Sequence, residues 1–251
     1  MKRLKALQQR NGRKKTGEFL LEGGKMIGEA LRSGQHLTTL LYTEESALEP
    51  EWKQQLEAQG TAVYAVAPHV LEAVTDTRTP QPVAASCVMA LRERPLEECS
   101  TCLLLDGLQD PGNMGTILRT AEAMGMDLVI AAGCVELFNP KVVRSTMGSL
   151  FRQPVLCVEE PCAILERMRR EGFTIWASLL DDQAQSVAHT TLGGKVCVMV
   201  GNEAHGVSPQ AAALSHGGLY IDMMGQVESL NAGVAAGILM WEMARAHKQK
   251  R

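Results

Sequence analysis

Short apolar runs alternate with amphipathic segments through the second half of the chain, and this alternation limits the fold more than any other feature. The apolar runs are typical of buried strands, and apolar residues at helical spacing follow most of them. The predicted strands are residues 102–106, 128–132, 155–158, 174–179 and 196–200. Strands that alternate with helices form a mostly parallel sheet covered on both faces, which predicts an α/β fold.

The first half of the chain has its own alternating pattern and predicts a separate, smaller α/β domain. At 251 residues the chain exceeds the usual size of one domain, roughly 100–200 residues, which also favours two domains. A charged stretch interrupted by Pro95 is the best linker candidate. We therefore predict a first domain at 1–92 with a basic N-terminal segment at 1–17, a linker at 93–100, and a second domain at 101–251.

Three glycine-containing loops of the second domain follow predicted strands, at residues 107–113, 201–206 and 225–231. In open parallel sheets, ligands bind beyond the carboxyl ends of the strands. Glycine allows a backbone to approach a ligand closely, and each loop also carries polar side chains. The helix after the last loop is rich in small residues, which lower helix propensity and indicate close packing against another backbone. We therefore expect the three loops to form one ligand site.

Charge is unevenly distributed along the chain, although the net charge is only -3. Seven Lys or Arg residues precede Glu18, and the chain ends with Arg245, Lys248, Lys250 and Arg251. Basic ends on a mildly acidic body indicate a polyanionic partner such as RNA, although solvated terminal segments explain them equally well. An aromatic content of 4% argues against stacking single-stranded bases on exposed aromatic side chains.

The composition also bears on the cellular compartment of the protein and on whether it has a metal-binding site. No apolar run follows the basic start, and none approaches the roughly 20 residues of a membrane span. Seven irregularly spaced cysteines fit a reducing cytoplasm better than a disulfide framework. Cys99 and Cys102 form a CxxC without a second pair, and Glu203 and His205 lack further clustered ligands. We therefore predict no metal site, and we interpret His205 as a solvated loop residue.

Nucleotide-dependent enzymes are the main rival class for such a sheet. No GxGxxG follows a strand, and no GxxxxGK followed by Ser or Thr occurs, so dinucleotide and P-loop sites lack their glycines. Residues 105–112 superficially resemble the first loop of Rossmann-type methyltransferases, but the spacing differs and Pro111 lies inside the turn. Neither class is supported.

Three motifs, in order, resemble those of the SpoU (TrmH-type) branch of the SPOUT RNA methyltransferases. They are Asn113-Met-Gly-Thr-Ile-Leu-Arg119, Val200-Gly-Asn-Glu-Ala-His-Gly206 and Ile221-Asp-Met-Met-Gly-Gln-Val-Glu-Ser-Leu-Asn231. Residues 19–25 and 79–90 resemble the small substrate-binding domain, related to ribosomal protein L30e, of members that act on ribosomal RNA. The resemblance implies RNA 2′-O-ribose methylation with S-adenosylmethionine (AdoMet), a parallel-sheet domain with a deep trefoil knot, and a homodimer with its site near the interface.

The resemblance also implies roles for individual residues. It assigns catalysis to Arg119, Asn113, Glu203, Ser229 and Asn231. It places AdoMet against the backbone near Gly201, Ile221 and Leu230, with Val200 and Met223 lining the adenine pocket. Without the family, simpler interpretations stay open: a surface salt bridge for Arg119, a loop acid at Glu203, core positions for Ile221 and Leu230, and helix capping by Asn113, Ser229 and Asn231.

Large-subunit (23S) ribosomal RNA is the expected substrate, because the first domain resembles the ribosomal type. We expect Arg13, Lys14 and Lys15 to bind RNA phosphates while the first domain selects the site by shape. The alternatives are a tRNA 2′-O-methyltransferase of the same family and a catalytically silent RNA-binding relative. The expected polar residues are all present, which disfavours the silent relative.

Overall fold

The structure is a computed structural model that describes residues 1–44, 46, 48–75, 77, 79–179, 181, 183–227 and 229–248. Lys250 and Arg251 of the basic C-terminus lie outside these residues. The described chain groups into two compact units, of which the first contains Met1–Ala90 with Glu136–Arg152, and the second contains Leu91–Val135 with Gln153–Arg251. No helix in this part of the chain is long and apolar enough to cross a membrane.

The first unit is a small sheet with helices. Its elements are α1 (Lys2–Ala6), α2 (Arg10–Thr16), β1 (Glu18–Glu22), α3 (Gly24–Arg32), β2 (Leu37–Tyr42), α4 (Pro50–Gln59), β3 (Ala62–Ala65), α5 (Pro68–Val74) and β4 (Val83–Val88). The strand order is β1-β4-β2-β3, with β4 antiparallel to both neighbours and β2 parallel to β3. Leu4 and Leu7 are buried against Leu20 and Leu71, so the basic N-terminal segment is part of this unit's core.

Glu136–Arg152 groups with the first unit because of contacts that periodicity does not reveal. The ring of Phe19 in β1 lies 4.7 Å from the centroid of Phe138 and 6.4 Å from that of Phe151. Arg13 donates to both carboxylate oxygens of Glu136, from Nε at 2.8 Å and Nη2 at 2.6 Å. Aromatic packing and a buried ion pair therefore hold this segment in the first unit.

The second unit contains the parallel sheet. Its first elements are β5 (Thr101–Asp106), α6 (Pro111–Met124) and β6 (Leu128–Ala132), and the next helix, α7 (Pro140–Thr146), belongs to the first unit. The chain continues with β7 (Val155–Val158), α8 (Cys162–Arg170), β8 (Thr174–Ser178), β9 (Gln185–Ser186), β10 (Val196–Gly201), α9 (Pro209–Ala212), β11 (Gly217–Tyr220) and α10 (Ala232–Lys248). Among the described residues the strand order is β7-β6-β5-β10-β8-β11-β9, and every pair is parallel. The predicted α/β fold with a parallel sheet is confirmed.

The central strands of this sheet are buried on both faces, as the apolar runs within them predict. Every residue of β5, β6 and β10 is buried. Leu165 and Met168 of α8 belong to one core cluster with Leu104, Ile130 and Met199 of these strands. The sheet therefore forms a rigid base for the loops at its carboxyl edge.

The strand order places the strands before the first two predicted loops side by side, whereas the strand before the third loop lies further along the sheet. β5 and β10 are neighbours, so the loops that follow them leave the sheet side by side. β8 lies between β10 and β11, so the chain after β11 has to return across the sheet before α10 packs on α6 and β10. Gly233 and Gly237 of α10 face Thr116 and Thr120 of α6. Close packing of these two helices explains the small residues of α10.

Candidate functional site

Side chains from the three predicted loops meet in one hydrogen-bonded cluster. Asn113 donates from Nδ2 to Glu203 Oε1 at 3.0 Å, and its Oδ1 accepts from Asn231 Nδ2 at 2.9 Å. We call Asn113, Glu203 and Asn231 the loop cluster. Its members follow three different strands, so the fold rather than the local sequence brings them together.

Asn113 lies in the first turn of α6, and another residue caps this helix. The cap is Asp110, whose Oδ1 accepts from the N–H of Asn113 at 2.7 Å, so the interpretation of Asn113 as the cap is wrong. Pro111 occupies the first helical position, which suits its fixed φ and missing N–H. The side-chain amide of Asn113 is thereby free to bridge Glu203 and Asn231.

Glu203 is an exposed carboxylate whose charge is stabilised by its neighbours. Partial burial raises its pKa, but hydrogen bonds from Asn113 and from backbone N–H groups, including that of Asp110 at 3.4 Å, outweigh this and hold the pKa below its usual value. The side chain is therefore ionised at neutral pH and can only accept hydrogen bonds.

The second loop closes on itself directly after β10. Asn202 N–H donates to Gly206 O at 2.9 Å, and Gly206 N–H donates to Asn202 O at 2.8 Å. A Cβ at Gly201 would lie 1.9 Å from the carbonyl carbon of Gly206, so the loop admits only glycine there. The Asn202 amide also donates to Gly107 O at 2.8 Å, which joins the second loop to the first. The role of Asn202 in joining the two loops was not predicted from the sequence, although its position within the second motif could have indicated it.

Asn231 joins the loop cluster to the start of α10. Its Oδ1 accepts from the N–H groups of Gly233 at 2.9 Å and Val234 at 3.3 Å, as the side chain of a helix cap does. Its Nδ2 remains available to Asn113. One side chain thus caps a helix and completes the loop cluster.

A cavity of about 720 Å³ lies beside the loop cluster. It is lined by all of the predicted cofactor residues, Val200, Gly201, Ile221, Met223 and Leu230, and by Glu203, Ser229, Asn231 and His205. Sequence reasoning set His205 aside, and its place in the second motif was again the available signal. The cavity has the size of cofactor sites, roughly 300–1,000 Å³, and combines apolar side chains with a few polar groups. AdoMet, an adenosine joined to a methionine, fits such a cavity by size and chemistry.

Metal ligands do not cluster in the described part of the chain. No group of three or more His, Cys, Asp or Glu side chains there could hold a metal ion. The polar groups of the cavity are amides, hydroxyls, one imidazole and the carboxylate of Glu203. Hydrogen bonding and positioning are the chemistry that such groups can supply.

Arg119 lies away from the loop cluster within the chain. It follows Asn113 by six residues along α6, about 9 Å of helix rise, and does not line the cavity. The side chain is exposed and forms no hydrogen bond or ion pair with the residues that the structure describes. The simpler interpretation as a surface salt bridge is therefore not observed among the described residues, and the guanidinium is available to a bound partner.

The basic residues predicted to bind RNA differ in exposure. Lys14 and Lys15 of α2 are exposed. Arg13 is only 2% exposed, and its guanidinium donates to two backbone carbonyls and to both carboxylate oxygens of Glu136. These bonds give Arg13 a structural role, so the prediction that it binds RNA is not supported.

Two domain families match the chain. Residues 1–85 match the MRM3-like substrate binding domain, and residues 100–241 match the SpoU rRNA Methylase family. The chain belongs to the SpoU rRNA methylase family. The resemblance inferred from the three motifs is confirmed.

Similar proteins align with almost the whole of this SpoU chain. The 23S rRNA (guanosine(2553)-2'-O)-methyltransferase RlmP of Bacillus subtilis is 35% identical over 242 residues, which cover 95% of this chain and 93% of the relative. The 23S rRNA (uridine(2479)-2'-O)-methyltransferase of Streptomyces viridochromogenes is 32% identical over 248 residues, which cover 95% and 86%. The crystal structure of an AdoMet-bound rRNA methyltransferase from Sinorhizobium meliloti has a TM-score of 0.86 at 30% identity and covers 97% of this chain and 93% of that one.

Proposed function

We propose that this protein transfers a methyl group from AdoMet to a ribose 2′-hydroxyl of 23S ribosomal RNA. The observation that carries the proposal is the loop cluster, in which Asn113, Glu203 and Asn231 meet beside a cavity of cofactor size. The B. subtilis and S. viridochromogenes relatives are named as 23S rRNA 2'-O-methyltransferases, and the S. meliloti relative binds AdoMet. The match of the first domain to a substrate-binding domain supports RNA as the substrate.

The cavity holds the cofactor through backbone and apolar contacts. Bound AdoMet supplies a methyl group on a sulfonium, which is open to in-line displacement. The peptide groups near Gly201, Ile221 and Leu230 would hold it, and Val200 and Met223 would line the adenine pocket; all five residues line the cavity. The absence of a side chain at Gly201 keeps the second loop closed and its backbone within reach of the ligand.

The loop cluster orients the target ribose. Glu203 is ionised and can accept a hydrogen bond from a ribose hydroxyl, while Asn113 fixes the direction of the carboxylate. Ser229 and Asn231 line the same cavity and can bind ribose or phosphate oxygens. Holding the 2′-oxygen in line with the methyl carbon is the main requirement of the transfer, because orientation alone removes much of such a barrier.

Arg119 binds the phosphate beside the target ribose and stabilises the alkoxide that develops on the 2′-oxygen. A guanidinium stays charged and can donate two parallel hydrogen bonds to a phosphate, so a phosphate oxygen or water takes the proton. Its exposure and its lack of a partner among the described residues support this role.

A homodimer completes the proposed enzyme. Val234, Ile238 and Trp241 lie along one side of α10 at helical spacing, and Val234 and Trp241 are 52% and 54% exposed. An exposed apolar stripe on a helix marks an interaction surface, and a two-fold pairing of identical chains would bury it. Since Arg119 lies on the exposed side of the neighbouring α6, the same pairing would bring it to a site at the subunit interface.

We also propose that the second unit contains a deep trefoil knot. β8 is followed in sequence by β9, which lies on the far side of β11. β11 is followed by α10, which packs against α6 and β10 on the far side of β8. Connections that cross in this way at one sheet edge are rare in unknotted folds, so the strand order supports the knot that the resemblance implies.

A cytoplasmic location is part of the proposal. All seven cysteines are free thiols, and four of them are buried: Cys87, Cys99, Cys102 and Cys197. Free thiols are typical of proteins from reducing compartments. Ribosomal RNA as the substrate points to the same location.

AdoMet titration and methyl transfer test the function together. The wild-type protein should bind AdoMet in calorimetry and should transfer labelled methyl groups to 23S RNA that lacks the modification. Resistance of one phosphodiester to alkaline cleavage would locate the 2′-O-methyl group. Binding of AdoMet without transfer to any RNA would identify a silent relative, and transfer to tRNA alone would contradict the ribosomal assignment.

A further inference from the structure

A short edge strand is joined to the start of the third loop by a hydrogen bond outside the loop cluster. Ser186 of β9 donates from Oγ to Asp222 Oδ2. β9 pairs with β11 so that Ser186 lies opposite Tyr220, and Asp222 follows two residues later. We call these two residues the Ser186–Asp222 pair. It fixes the chain where it leaves the sheet towards the cavity.

Asp222 lies between two residues of the cavity wall. Ile221 and Met223 line the cavity, whereas Asp222 does not. Leu219, Tyr220 and Ile221 line the cavity in succession, so the cavity wall follows the chain out of β11, and Asp222 interrupts it before Met223. A bond that holds Asp222 outside this wall therefore restrains the chain at Ile221 and Met223, the lining residues on either side of it.

Ser186 is itself held firmly from behind. It is buried, its Oγ accepts from Ala188 N–H at 3.2 Å, and its carbonyl accepts from Thr190 Oγ1 at 2.8 Å. The first of these bonds caps the 3₁₀ turn Val187–His189, which packs against α10. The serine is thus a fixed point from which Asp222 can be positioned.

The third loop is anchored at two points. Asn231 is held at its far end by Asn113, and Asp222, three residues before the loop begins, is held by Ser186. No further hydrogen bond restrains the described residues between these anchors. Met224 and Val227 there are 99% and 62% exposed, so packing restrains them little. The direction of the loop's first half therefore depends on the Ser186–Asp222 pair.

We propose that Ser186 and Asp222 are positioning residues for the methyl donor, because their hydrogen bond sets Ile221 and Met223 as one wall of the cofactor site. The inference rests on the proposed function for the identity of the ligand. Neither residue lines the cavity, so both act through Ile221 and Met223. Loss of the pair should therefore weaken AdoMet binding while leaving turnover at saturating AdoMet nearly intact.

Four variants test the pair: Asp222→Ala, Asp222→Asn, Ser186→Ala and the double alanine. Loss of a hydrogen bond to a charged group typically weakens an interaction about 10-fold, so Asp222→Ala should raise the Kd and KM for AdoMet about 10-fold and change kcat less than about twofold. Asp222→Asn retains an acceptor oxygen and should restore most of the affinity. The double variant should be no weaker than the weaker single variant, because both changes remove the same bond.

Ser145→Ala is the matched control, since it removes a serine hydroxyl that bonds Lys141 O within α7 and leaves the pair and the bonds that hold Ser186 intact. It should bind AdoMet like wild type. Wild-type affinity in Asp222→Ala and Ser186→Ala would overturn the inference, as would a loss in kcat alone. A weakening that Asp222→Asn does not rescue would also overturn it. If the wild-type protein itself failed to bind AdoMet, both the proposed function and this inference would be wrong. If wild type and the variants bound AdoMet equally well, only this inference would be wrong.

Discussion

At the scale of single residues, Gly201 and Gly206 are needed in one loop for different reasons. A Cβ at 201 would overlap the backbone of Gly206 at 1.9 Å, whereas a Cβ at 206 meets nothing within 4 Å and suffers only from its φ of +71°. Gly201→Ala should therefore open the loop, lower the Tm and raise the Kd for AdoMet at least about 10-fold. Gly206→Ala should cost only about 1–2 kcal/mol of stability. Equal effects of the two substitutions in thermal unfolding and calorimetry would contradict this distinction.

The charge of Glu203 predicts how the stability of the folded loops depends on pH. Its pKa in the folded protein lies below the usual value for a glutamate. The ionised carboxylate therefore stabilises the folded loops at pH values above the usual pKa. This stabilisation is lost as the pH falls through the lowered pKa. Asn113→Ala removes one of the hydrogen bonds that oppose the effect of burial, so the pKa of Glu203 should rise. Titration of the labelled carboxyl carbon by NMR measures it. An unchanged pKa would argue against the bond between Asn113 and Glu203.

Arg119→Lys tests how the guanidinium acts. Lysine keeps the charge but cannot donate two parallel hydrogen bonds to one phosphate, so kcat/KM should fall by about 10- to 100-fold. The Kd for AdoMet should not change, because Arg119 does not line the cavity. Arg170→Lys, at an exposed arginine of α8, is the control and should keep full activity. Near-wild-type turnover of Arg119→Lys would rule out bidentate binding.

At the scale of elements, α1 and α2 combine a basic surface with core residues. Deleting them would remove Leu4 and Leu7 from the core, so a deletion cannot measure charge alone. The double variant Lys14→Gln, Lys15→Gln should instead make the negative slope of log K for RNA binding against log salt concentration shallower, by about 1.4–1.8. Lys53→Gln, an exposed charge on α4, should change the slope less. An unaltered slope in the double variant would remove these lysines from the RNA surface.

Some elements could be predicted from sequence and others could not, for physical reasons. β6 and β10 are apolar throughout, and β5 is apolar from Cys102 to Leu105, because both faces of these strands are buried, and this shows directly in the sequence. The burial of Arg13 depends on Glu136, which is 123 residues away, and no local pattern reveals that pairing. The catalytic candidates came from the family resemblance, and their contacts depend on a strand order that periodicity does not determine.

At the scale of the whole molecule, the proposed dimer depends on the exposed side of α10. Trp241→Glu places a charge at the C-terminal end of the apolar stripe and should convert dimers to monomers, because burying an unpaired charge is costly. Sedimentation velocity measures the change, and methyl transfer should fall with it. Tyr64→Glu on β3 is the matched control, since Tyr64 is also 54% exposed. A Trp241→Glu protein that sediments like wild type would exclude this face as the interface.

The grouping of Glu136–Arg152 with the first unit means that three peptide bonds connect the two units along the described chain, after Ala90, Val135 and Arg152. A protease that cut once between residues 90 and 101 would release no free domain. A fragment starting at Leu91 would carry Phe138 and Phe151 without Phe19, the aromatic partner of both. Exchanging the substrate-binding domain between relatives therefore requires transplanting two stretches of sequence together.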